Sequence, residues 1–143
     1  MNQENYKKVH SFILDLMKKV YVEPEGLFDY PSLTTTAGRF YSGCMFTWDT
    51  HHMTLRYAMN GEPEVMKYFL LNMFKFQRVS GFMSCCVSSK DGATYSSDFH
   101  AQPFLAQNAA EYLAALNTNV NDELALRTFC LSINLMLRKK PVK

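Results

Sequence analysis

The chain has 143 residues, room for one ordinary domain, and its 48% apolar and 20% charged content excludes a disordered or collagen-like polymer. Eleven Phe, eight Tyr and nine Met supply bulky core material, while 15 Lys+Arg against 13 Asp+Glu leave a net charge of +2. That balance provides no electrostatic footprint for nucleic acid or an anionic membrane surface.

The opening Met1-Asn2-Gln3-Glu4-Asn5 is polar and mixed in charge, unlike a secretory leader, and no apolar run reaches bilayer length. Cys44 and Cys130 stand alone and Cys85-Cys86 are neighbours, a pattern of neither zinc ribbon nor disulfide scaffold. These features lead to the expectation of a cytoplasmic protein with buried or incidental thiols.

Periodicity predicts five helices. The first runs from about Asn5 to Tyr21, with Val9, Phe12, Ile13, Leu16, Met17 and Val20 on one stripe, and Pro24 and Gly26 end it. The second begins near Thr47 or Asp49, carries Met53, Leu55, Tyr57 and Met59, and stops at Asn60-Gly61. Pro63 suits the first turn of the third, whose apolar face includes Val65, Met66, Phe69, Leu70, Met73, Phe74 and Phe76 and which ends before Gly81. A fourth opens at Gln102-Pro103 and continues through Leu105, Ala109, Tyr112, Leu113 and Leu116. A fifth runs from Asn121-Asp122-Glu123 to Lys139-Lys140. The connections after helices two and four are short; those from Val22 to Phe46 and from Val79 to Ala101 are long and read as fixed irregular structure.

If consecutive helices alternate in direction, both long loops lie at one end of the bundle, with the starts of helices two and four. Trp48, Asp49, His51 and His52 then approach the same surface as His100 and Gln102. Asp49 and His52 share a helix face, whereas His51 points elsewhere. Trp beside Asp suits a saccharide: the indole covers the apolar face of a sugar ring and the carboxylate accepts from its hydroxyls. Gln102 adds a donor and an acceptor, and Arg39 can clamp a polyhydroxylated or anionic ligand. The structural alternative makes Asp49 a helix cap and Trp48 a core anchor. Two further readings stay open: a metal triad of Asp49, His52 and His100, lacking any supporting motif, and a Cys85 or Cys86 nucleophile with His100 as base. Arg56 and Arg78 read as solvated helix-face charges.

The stretches Gly38-Arg39-Phe40-Tyr41 and Phe46-Thr47-Trp48-Asp49-Thr50-His51-His52 resemble the early helical hairpin of (α/α)6-toroid glycoside hydrolases. The similar groups are the trehalases and the processing α-glucosidase I group with its bacterial relatives, including mannosylglycerate-type hydrolases. The resemblance continues through Gly61-Glu62-Pro63-Glu64, Phe76-Gln77, Gly81-Phe82-Met83 and Ser96-Ser97 to His100-Ala101-Gln102-Pro103-Phe104, from about Gly26 to Leu116.

The resemblance implies an all-α fold of antiparallel helical hairpins, a partial (α/α)6 toroid in which residues 1–143 form a single helical domain, the first hairpins of a larger catalytic domain. It implies that Trp48 and Asp49 line a sugar subsite with Arg39, His52, His100 and Gln102. The inverting acid and base of the family lie beyond the matched portion. No catalytic pair is assigned, although Asp49, Asp91 and Asp98 are loop-end carboxylates, and no cofactor or metal is implied. The expected partner is a small saccharide or glycoside, with self-association through uncovered helix faces as a second possibility. The alternative function is a small carbohydrate-binding or interaction module without catalysis.

Overall fold

The structure, a computed structural model, describes residues 3–35, 41–92 and 104–116. Helix α1 (Gln3–Val20) begins with Glu4, which pairs with Lys8 one turn on at 2.7 Å, and carries Lys18 and Lys19 in its last turn, both favourable to the helix dipole. Its final carbonyls are taken up from outside the helix: Tyr57 Oη donates to the Met17 carbonyl at 2.6 Å, and the Thr34 N–H to the Val20 carbonyl at 2.9 Å. The chain then extends into β1 (Tyr21–Val22), paired antiparallel with β2 (Ser32–Leu33) in the register Tyr21↔Leu33.

Strand β3 (Cys44–Phe46) runs directly into α2 (Thr47–Met59). Phe46 is still extended, and no side chain caps the helix; instead the Thr47 N–H donates to the Cys85 carbonyl at 2.9 Å. Asn60 and Gly61, the latter at φ +89°, turn the chain into α3 (Glu64–Lys75), with Pro63 at the N-cap. Strand β4 (Cys86–Ser88) then returns to pair with β3, Met45 opposite Val87, and α4 (Phe104–Ala115) completes the described elements.

Helices α2, α3 and α4 pack on one another. Phe69, Leu70 and Met73 meet Phe28, Met45, Met83, Val87, Leu105 and Ala109 in the principal core. A second cluster joins Met17 and Val20 of α1 to Leu33, Tyr57 and Val65. Asn72, 1% exposed, pins the first long connection to α3: its amide donates to the Tyr30 carbonyl at 2.9 Å and accepts the Tyr30 N–H at 3.2 Å.

The expectation of an all-α, partial (α/α)6 toroid is overturned. Among the described residues four α-helices are accompanied by two small antiparallel two-stranded sheets, and the helices are too few for a toroid. The strands escape a periodicity argument because each is two or three residues long, and β3 and β4 come from the two long connections. The connections are stitched together further by Leu27 N–H to the Ser89 carbonyl at 2.6 Å and Ser89 Oγ to Glu25 Oε1 at 3.1 Å. Gly26 sits at φ +56° against that same carbonyl, where a Cβ would overlap the Ser89 oxygen.

Other details depart from expectation. Val9, Phe12 and Leu16 of the α1 stripe are exposed, at 49%, 67% and 42%, and only Met17 and Val20 of α1 are buried. Arg56 is not a solvated charge: it is half-buried, with Nη2 2.9 Å from His10 Nδ1. Arg78 lies in the turn after α3 with its guanidinium over the Phe82 ring at 4.8 Å. The expected fifth helix lies outside the described residues.

Candidate functional site

Three side chains crowd the start of α2 on its outer face. Trp48, Asp49 and His52 are all exposed, Trp48 by 54%. Because β3 feeds the helix from an extended Phe46, Trp48 and Asp49 occupy the second and third helical positions rather than the cap. Both structural alternatives therefore fail: Asp49 does not cap α2, and Trp48 is not a core anchor. Asp49 remains in the first turn, where the helix dipole favours its negative charge.

The indole is held from two sides. Phe104, the first residue of α4, meets it edge-on with ring centroids 5.1 Å apart, and His52 does so at 5.8 Å. Phe104 also packs on His51 at 5.1 Å and on His52 at 6.0 Å. The starts of α2 and α4 thus lie side by side, as alternating helix direction requires. His51 turns away from the surface, as its position beside His52 predicts, and is completely buried between α2 and α4. Burial, opposed by Glu111 and reinforced by His52, lowers its pKa from the usual 6.5.

Arg39, His100 and Gln102 lie outside the described residues, so the structure brings together Trp48, Asp49 and His52 only. Asp49 and His52, two members of the alternative metal triad, stand within one turn of each other, and the third, His100, is not described. Among the described residues no group of three or more His, Cys, Asp or Glu side chains is arranged to hold a metal ion. Cys44 and Cys86 are buried and Cys85 is half-buried; the base that a cysteine nucleophile would use, His100, is not described. Asp91 lines a separate cleft with Leu27, Phe76, Arg78 and Phe82.

Phe104 belongs to the run that carries the resemblance, but sequence alone assigns it no role in the site. The signal was present: it follows Gln102-Pro103 at the opening of a helix whose start shares an end with Trp48. His52 also borders a cleft of about 240 Å³ between α1 and α2, lined chiefly by Ile13, Leu16, Val20, Met53 and Arg56. What remains at the surface is an aromatic plate packed against Phe104 and the His52 imidazole, with a carboxylate next to it in the chain. Such a set stacks on an apolar ring face and hydrogen-bonds to hydroxyls at its rim.

No helix among the described residues is long and apolar enough to cross a membrane. No protein-family model, curated protein or solved structure matches the chain.

Proposed function

We propose that the chain binds a small saccharide or glycoside against the start of α2, contributing part of a sugar subsite of glycoside-hydrolase type without supplying the catalytic acid and base. The observation that carries this reading is the exposure of Trp48, 54% in a side chain that ordinarily contributes to a core. Its ring is braced by Phe104 and His52, so little orientational freedom is lost when a ligand stacks on it. Asp49 beside it offers a charged acceptor, and hydrogen bonds from hydroxyls to a carboxylate are stronger than neutral ones. The resemblance assigns Arg39, His100 and Gln102 to the same subsite. Gln102 precedes Phe104 by two positions, and Arg39 precedes β3 in the connection that feeds α2.

Trp48 is the sole tryptophan in the chain, so its emission reports on the site alone. Titration with a panel of mono- and disaccharides should change that emission for at least one sugar. Asp49→Asn should weaken the binding about tenfold, equivalent to about 1.4 kcal/mol, and Trp48→Ala, followed by calorimetry, at least as much. Affinity that survives Trp48→Ala would remove the site from this surface. Glycoside hydrolysis by the pure chain, lost in Asp49→Asn, would show that the chain is a complete catalyst instead.

A further inference from the structure

Beneath the exposed indole, α2 and α4 meet through a buried polar network. Thr54 Oγ1 donates to the His51 carbonyl at 2.7 Å, so it is left to accept, and it accepts from Asn108 Nδ2 at 2.7 Å. That bond sets the Asn108 amide with its nitrogen toward the His51 ring, 3.5 Å from Nδ1. Nδ1 must then act as an acceptor, which places the ring proton on Nε2. Nε2 faces Glu111 Oε2 at 3.7 Å, beyond hydrogen-bond reach, and neither atom has another hydrogen-bond partner among the described residues. His51, Thr54 and Asn108 are each 0% exposed.

The network is built for a neutral imidazole. A proton on Nδ1 would set two donors, His51 Nδ1–H and Asn108 Nδ2–H, against each other, and turning the amide would oblige the Thr54 hydroxyl to give up the His51 carbonyl in order to donate to Asn108 Oδ1. Two titratable groups face the ring among the described residues: Glu111 from α4, which favours the charged form, and His52 from α2 itself, with ring centroids 5.2 Å apart, which opposes it when charged. Phe104 lies against both His51 and Trp48, each at 5.1 Å, and links the buried ring to the surface one.

We propose that His51 is a positioning residue for Trp48: neutral, it seats Phe104 and α4 against α2 and holds the indole in place; protonated, it unseats Phe104 and releases the indole. The inference needs no ligand, so it stands or falls separately from saccharide binding.

The experiment is a pH titration of Trp48 emission in the full, ligand-free chain from pH 7.5 to 5.0. The wild type should shift to longer wavelength as the pH falls below the ordinary histidine value of 6.5. His51→Gln should show no such transition, and His10→Gln, on α1 and outside the site, should retain it. Glu111→Gln removes the charge that favours protonation, so its midpoint should move to lower pH. A flat wild-type profile, a transition that persists in His51→Gln, or one abolished in His10→Gln overturns the proposal. Should His51→Gln fail to fold, the wild-type His51 ring proton followed by NMR decides: titration in step with the emission supports the proposal, and titration at a different pH overturns it.

Discussion

Tyr57 shows how much one hydroxyl can carry in this molecule. It is buried, and its proton is given to the Met17 carbonyl, a group in the last turn of α1. Burial first, and then the charges of Glu62 and Tyr21, push its pKa up to about 12. Tyr57→Phe keeps the ring and removes the donor, and with it the bond that ties that carbonyl to α2. A cost of about 1–2 kcal/mol is expected, read as a lower urea midpoint at unchanged slope. An unaltered midpoint would mean that water takes over the carbonyl. Nothing in the sequence marks this bond, because helical spacing identifies Tyr57 as apolar-face material and is silent about where its hydroxyl ends.

At the scale of elements, α1 separates what periodicity can say from what it cannot. Val9, Phe12, Ile13, Leu16, Met17 and Val20 do form a helical stripe, and the helix exists where the spacing puts it. A stripe states a period, however, and not the identity or extent of the surface that covers it. Met17 and Val20 reach the cluster around Tyr57 and Val65, while Phe12 remains 67% exposed. Met17→Ala should therefore cost about 2–4 kcal/mol, whereas Phe12→Ser should stay within about 0.5 kcal/mol. Equal effects in denaturant titrations would show that the stripe is buried along its whole length. The paired strands illustrate the opposite failure. Cys44–Phe46 and Cys86–Ser88 are too short for alternation to declare itself, and each finds its partner about forty residues away. Yet that pairing is what starts α2 at Thr47 and leaves Trp48 and Asp49 beyond the cap. The residues of the candidate site were legible one by one; their positions relative to the helix end were not. The Phe104–Asn108–Glu111 face of α4, spaced at i, i+4 and i+7, carried a readable signal, since those three residues must point together.

For the whole molecule, His51 and Tyr57, both buried, bound the pH range of maximum stability from opposite sides. His51 has a folded pKa below its unfolded value of 6.5, so the folded chain binds fewer protons than the unfolded one as acid is added. Its contribution is complete above 6.5 and declines as the pH falls through that value toward the folded pKa. Tyr57 has a folded pKa near 12 against an ordinary 10, so its contribution is complete below 10 and is lost as the pH rises from 10 through 12. Tyr21, raised mainly by burial and then by Glu23, acts in the same alkaline direction. Urea midpoints measured from pH 5 to pH 11 should accordingly form a plateau between about 6.5 and 10, the ordinary histidine and tyrosine values. The two shoulders should separate by mutation, because the groups sit in different networks: His51 between α2 and α4, Tyr57 between α2 and α1. His51→Gln should flatten the acid shoulder and spare the alkaline one, and Tyr57→Phe should do the reverse. An acid shoulder that survives His51→Gln would place the acid sensitivity in the carboxylates and leave the α2–α4 network without a role in it.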